Sequence, residues 1–146
     1  MDKIDSYFAL IEHNVNLLDL LTSKQYPPHL IQEDFSDWCT TTIFYILCIY
    51  MKTVFTLMDK DVQDHFTLRQ LINTTPELCT IAKYYRHIEE ASRDARYEGK
   101  KYTKDYLINR ILLKFEKVRE CIEKILRKNK AHNIPKIDIK SLLERI

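Results

Sequence analysis

The stretch YYRHIEEASRDARYEG, Tyr84 to Gly99, packs arginines, carboxylates and tyrosines more closely than a solvated helix face requires. Arg93, Arg96 and Tyr97 cluster at its end. A guanidinium next to a phenol is a common way to hold a phosphate or to stack a base. Cations at the end of a helix also complement its dipole, so the same residues have a purely structural use. His65 and Arg69 stand one helical turn apart and could share a phosphate; the competing reading is a buried polar contact to the Tyr84–Gly99 helix. Within that helix, Arg86 with Glu90 and Glu89 with Arg93 are at four-residue spacing, worth only about 0.2–0.5 kcal/mol each when exposed. A further expectation is that Arg93 or Arg96 pairs with a carboxylate from elsewhere in the fold.

Other chemistries lack their residues. No E-x-x-H step exists for a carboxylate-bridged di-metal site; His87 and Glu90 give the reverse order without a second pair. There is no G-x-S-x-G and no H-E-x-x-H. Cysteines and histidines are too scattered for a zinc site. One glycine and four prolines leave little material for phosphate loops, dinucleotide fingerprints or hairpins. No metal and no cofactor are expected.

The elements that must position these residues read as helices. Ile4, Phe8, Ile11, Val15, Leu18 and Leu21 recur at three- and four-residue steps, predicting a helix from about Ile4 to Leu21. Pro27-Pro28 then marks a loop over 23–34. A second helix is predicted from Phe35 to Met58, capped by Asp34 or Ser36. Its apolar residues, from Trp38 through Phe44 to Leu57, cover nearly the whole circumference, which predicts burial on all sides. Its β-branched content leaves room for a local break. "DKDVQDH" starts a short helix that ends near Asn73. Thr75-Pro76-Glu77 has the composition of a helix start, with a threonine cap and proline in the first turn. Gly99 should stop that helix. On its inner face, Ser92 and Ala95 are small enough for close helix contact. Thr103 should cap a long helix to about Lys128, and Asp138 a short last one that turns Ile139, Leu142, Leu143 and Ile146 inward.

The 146 residues fit a single domain, 1–146, with 45% apolar and 30% charged side chains. Net charge is +2 but divided: residues 1–99 carry nine basic and fifteen acidic side chains, residues 100–146 fourteen and six. Such asymmetry suits an acidic protein face, a nucleic acid or another copy of the chain, or else opposite charges packing together within one fold. Cys39, Cys48, Cys79 and Cys121 form no C-x-x-C and read as mostly buried, reduced thiols. "MDKIDSYFAL" lacks a basic region followed by an apolar core, and "TIFYILCIYM" meets Lys52 before it could span a bilayer. A cytoplasmic protein without a membrane segment is the expectation.

"DHFTLRQLI" followed by "IAKYYRHIEEASRDARYEG" resembles the HEPN superfamily (higher eukaryotes and prokaryotes nucleotide-binding). The resemblance is carried by His65 and Arg69 as H-x-x-x-R, and by Tyr85, Ile88 and Ser92 leading into "SRDARY" at Ser92–Tyr97. A central aromatic helix comparable to "FYILCIYMKTVF" precedes them, and the match covers most of residues 5–126. It implies an all-α fold: an antiparallel up-and-down bundle of four main helices plus short helices, often a homodimer. Proteins of this kind are ribonucleases of toxin or defence systems, or non-catalytic partners of nucleotidyltransferase-type proteins. Ribonuclease members use an arginine and a histidine four to six residues apart, usually with Asn, Asp or His after the arginine. The arginine would stabilise a pentavalent phosphate and the histidine move a proton. The one match is "RKNKAH", Arg127 and His132, with Lys128 in place of the smaller polar residue. Eight arginines and five histidines give roughly 0.8 such spacings by chance. The expectation is therefore a non-catalytic binding or interaction module. His65, Arg69, Arg93, Arg96 and Tyr97 are its binding set, RNA, a nucleotide or a nucleotidyltransferase-type protein its partner. A metal-independent ribonuclease using Arg127 and His132 and a plain protein adaptor are the alternatives. The central aromatic helix and the Tyr84–Gly99 helix are the expected dimer surface.

Overall fold

The computed structural model describes residues 2–30 and 33–146; Ile31 and Gln32, within the expected loop, lie outside them. Every regular element among the described residues is helical. The helices are α1 (Lys3–Ser23), α2 (Ser36–Leu57), α3 (His65–Thr74), α4 (Ala82–Tyr97), α5 (Lys104–Tyr106), α6 (Leu113–Lys128) and α7 (Ile139–Leu143). A π-helical segment, Leu107–Leu112, carries α5 directly into α6, and a 3-10 turn, Pro28–Leu30, lies between α1 and α2.

α2 packs against α1, α4 and α6, and α4 also packs against α6. Ile43, Phe44, Ile46, Leu47, Tyr50, Met51, Val54 and Phe55 of α2 are all fully buried. They meet Phe8, Ile11 and Leu18 of α1, Tyr85 and Ile88 of α4, and Phe115, Val118 and Ile122 of α6 in one apolar core. The threonines of α2 enter that core at no cost in unpaired hydroxyls: Thr40, Thr42 and Thr53 each donate to the carbonyl four residues back, at 2.7–2.9 Å. The helix runs unbroken, so its β-branched residues do not interrupt it. Expected burial on all sides needs a correction, because Trp38 is 55% exposed and Tyr45 37%. The helix also continues past Lys52 and is, by length and composition, long and apolar enough to cross a membrane, although most of it is buried in the fold.

Helix ends follow the sequence at most positions. Asp2, Asp64, Thr103 and Asp138 each accept a backbone N–H three residues on, at 2.7–3.1 Å. At α2 the cap position falls on Phe35, without a side-chain cap bond, and not on Asp34 or Ser36 as expected; Asp34 still accepts from the Ser36 N–H at 2.8 Å. Gly99 has a φ of +65°, and the next amide, Lys100 N–H, closes on the Asp94 carbonyl at 3.2 Å. The larger exception is Thr75-Pro76-Glu77. Thr75 turns its hydroxyl and its N–H back onto the Leu71 carbonyl, closing α3 and leaving nothing to cap a helix at Pro76. Three-residue turns follow, Leu78 N–H to Thr75 and Ile81 N–H to Leu78, which bury Leu78 and Ile81 before α4 starts at Ala82. The π-helical segment had no sequence signature.

The basic last third meets the acidic first part at two ion pairs, Lys101 with Asp37 and Arg145 with Asp19. Arg145 also donates to the Thr22 hydroxyl at 2.8 Å, tying the chain end to α1. Other cations of the last third pair within it or with nothing described, so internal packing does not consume the +8 of that segment. All four cysteines are free. Cys39 and Cys48 are buried, and burial raises both thiols to a pKa of about 12, but Cys79 is exposed and corrects the expectation for that residue.

Ser92 and Ala95 are both buried, and the Ser92 hydroxyl has no hydrogen-bond partner. Ala95→Leu should overpack the α4 contact and cost about 1–3 kcal/mol in urea unfolding. Ser92→Ala removes an unpaired buried hydroxyl and should leave stability unchanged or higher. An unchanged urea midpoint for the leucine variant would contradict this packing.

Candidate functional site

Phe44 is a fully buried ring on α2 that an imidazole and a guanidinium approach. His65, the first residue of α3, stacks on it with centroids 5.8 Å apart and planes 30° apart. The Arg96 guanidinium of α4 lies 5.8 Å from the same centroid, 5.6 Å from that of Tyr45 and 5.4 Å from that of Tyr97. Such cation–π contacts are worth about 0.5–1 kcal/mol each at exposed sites. Arg96 Nη1 donates to Tyr45 Oη at 3.0 Å, and Nε donates to the Ser92 carbonyl at 3.3 Å. Arg96 is thereby pointed along α2 with its fork partly open.

Beside it lies a cleft of about 410 Å³ lined by Asp37, Trp38, Thr41, Tyr45, Ala95, Arg96 and Gly99. Trp38 and Tyr45 are seven residues apart, two turns of α2, and so form one wall. Ala95 and Gly99 keep the α4 side low. The single carboxylate of the lining, Asp37, is matched by Lys101 at 2.9 Å. Tyr97, 75% exposed, stands just outside. The chemistry on offer is a planar cation among flat aromatic faces, which suits a base or another conjugated ring.

Arg69 reaches across from α3 to Glu89 of α4, Nη1 to Oε2 at 3.2 Å, and Glu89 is 5% exposed. The structural reading of Arg69 is the one realised. Glu89 is thereby withdrawn from Arg93, and neither the Glu89–Arg93 nor the Arg86–Glu90 pair forms. Nor does Arg93 or Arg96 find a carboxylate: Arg96 takes a phenol instead, and Arg93 is exposed without a hydrogen bond or ion pair among the described residues. Of the expected binding set, the structure gathers His65, Arg96 and Tyr97 around Phe44 and Tyr45, with Arg69 one turn behind His65.

Arg127 is held by Glu123 at 3.0 Å, and Glu123 is shared with Arg119 at 2.9 Å. A separate cavity of about 420 Å³ is lined by Arg119, Glu123 and Arg127 of α6 and by residues 134–138. His132 is exposed beyond the end of α6 and does not line it.

Sequence reasoning missed Trp38, Tyr45 and Phe44 as site residues, because an apolar helix reads as core. The available signal was Lys52, seven residues after Tyr45 and fourteen after Trp38, which marks the one strip of α2 that need not be covered. Among the described residues, no group of His, Cys, Asp and Glu is placed to hold a metal ion. No protein-family model matches the chain, and comparison with curated proteins and with solved structures gives no match.

His65 has its pKa held below the ordinary value, chiefly by partial burial, with Arg96, Lys52 and Arg69 adding to the effect and Glu89 opposing it. As pH falls, the unfolded chain therefore takes up this proton first. Stability is fully present above about pH 6.5 and is lost as pH falls through the lower folded value. Thermal melts from about pH 7 to pH 5 should show a falling Tm, with a flatter slope for His65→Asn. An identical slope in both proteins would contradict the placement of His65 on Phe44.

Proposed function

We propose that this chain is a non-catalytic, HEPN-like binding module that stacks a base of single-stranded RNA or of a nucleotide between α2 and α4. The observation that carries the reading is Arg96, set among Phe44, Tyr45 and Tyr97 at the edge of the Trp38 cleft. Aromatic faces accept any base, and the uncompensated charge of residues 100–146 supplies backbone attraction. The finer fold belongs to this proposal: α1, α2, α4 and the helix through α6 as an antiparallel up-and-down bundle, supported by α2 lying against the other three. So do a place in a defence or toxin–antitoxin system and a nucleotidyltransferase-type partner, both supported only by the family resemblance. The ribonuclease alternative needs Arg127 free of Glu123.

Trp38 is the only tryptophan, which gives the cleft its own reporter. Labelled single-stranded RNA at low salt, with EDTA present, should quench tryptophan emission and bind more weakly as salt rises. Tyr45→Ala or Arg96→Ala should weaken binding roughly 5- to 150-fold, as expected for about 1–3 kcal/mol per stacked base. No quenching with intact binding would move the site elsewhere; cleavage lost in His132→Ala would establish the ribonuclease alternative; no binding at all would leave the adaptor.

Homodimerisation is proposed on the same evidence of exposure. Trp38, Tyr45 and Tyr97 form an aromatic strip on the two helices expected to meet a second copy, so a second copy and a stacked base would compete for one surface. Sedimentation at micromolar concentration should give twice the 17.6 kDa chain mass, and less for Trp38→Asp. A clean monomer would leave the strip to the ligand alone.

A further inference from the structure

The opposite flank of α4 carries a second cluster. Arg96 follows His87 by nine residues, about two and a half turns, so the two leave α4 on opposite sides. Lys114 Nζ lies 2.6 Å from His87 Nδ1, and Tyr106 Oη lies 3.3 Å from His87 Nε2. An ammonium has only donors, so Nδ1 accepts, the ring is neutral, and its proton sits on Nε2 facing the Tyr106 oxygen. Lys117 Nζ lies 4.9 Å over the Tyr84 ring and 3.5 Å from its hydroxyl, and Lys83 approaches the same ring at 5.1 Å.

Two observations set this flank apart. First, Lys83, Arg110, Lys114 and Lys117 make no ion pair among the described residues, and Lys114 and Lys117 instead contact a ring nitrogen of His87 and the hydroxyl of Tyr84. Glu90 is the one carboxylate acting on His87, against Lys114, Arg110 and Lys100. Second, Arg110 leaves from the π-helical segment Leu107–Leu112, and Lys114 from the first turn of α6 directly after it. A π-helical turn inside an α-helix is rare and is frequently found at functional sites.

We propose that the surface where α4 meets the helix through α6 binds a phosphate-class dianion, with Arg110, Lys114 and Lys117 as its donors. Arg110 offers the planar fork, the two lysines mobile point charges, and Tyr84 and Tyr106 hydroxyls complete the donor set. Burial, and after it these cations, depress His87; burial, and after it Arg110, depress Lys114; the lysine contact lowers Tyr84. The part of each depression that the cations cause is positive charge without a counterion, and a bound dianion would offset that part while the effect of burial remains. This site is independent of the Arg96 cleft, since it uses none of the same residues.

The His87 ring resonances, followed by NMR across the histidine range at constant ionic strength, test the proposal. Inorganic phosphate should raise the His87 midpoint by about one pH unit relative to chloride, the scale of an opposite charge nearby. Lys114→Met should abolish the phosphate response. Lys117→Met, an exposed change that does not threaten the fold, should weaken it. A nucleoside monophosphate arm separates the sources: a stronger response than to phosphate assigns the site to phosphorylated nucleosides, an equal one to the free anion. A midpoint indifferent to phosphate in large excess would overturn the proposal. So would an equal shift with chloride, or a response that survives in both lysine variants.

Discussion

A helix that is apolar round almost its whole circumference has to be covered on every side, and the other helices are arranged around that need. α2 lies against α1, α4 and α6, and rings such as Phe44, Tyr50 and Phe55 are removed from water by all of them. At about 25 cal/mol per Å² of apolar surface, burying one such side chain contributes roughly 1.5–3 kcal/mol. Cover fails only along the strip of Trp38 and Tyr45. Where cover fails, Arg96 of α4 lies over the rings and offers its charge to solvent.

α4 therefore serves two surfaces from one helix. Its inner face, with Tyr85, Ile88, Ser92 and Ala95, is core. One flank gives Glu89 to Arg69 and Arg96 to the aromatic strip; the other gives His87 and Tyr84 to the lysines of α6. The dense mixture of charges and tyrosines in Tyr84–Gly99 is explained by this division, which four-residue pairs along the helix do not provide. Fixing Glu89 on Arg69 also anchors α3, so that His65 meets Phe44.

Periodicity made α1, α2 and the helix from Thr103 to Lys128 legible, because their apolar stripes are long and their caps are side chains with unambiguous chemistry. Gly99 was legible because a positive φ asks for glycine. The start of α4 was not: Thr75 has two ways to satisfy its hydroxyl, and the nearby Leu71 carbonyl took it, which no local rule anticipates. Nor was the cleft, since Trp38 and Tyr45 look the same whether a helix is covered or bare there. Arg96 was singled out for a phosphate or a stacked base, and its phenol partner is fifty-one residues away in sequence. Such long-range choices depend on which helix lies alongside, and one-dimensional spacing does not carry that.

The central claim is that the uncovered strip of α2, with Arg96 over it, is where a base stacks. Photo-crosslinking with 4-thiouridine-substituted single-stranded RNA, followed by peptide mapping, tests it directly. The account predicts adducts on α2 and α4 at Trp38, Tyr45 or Tyr97. Adducts confined to residues 100–146 would contradict it, since the RNA would then be held by charge alone and the aromatic strip would have another use.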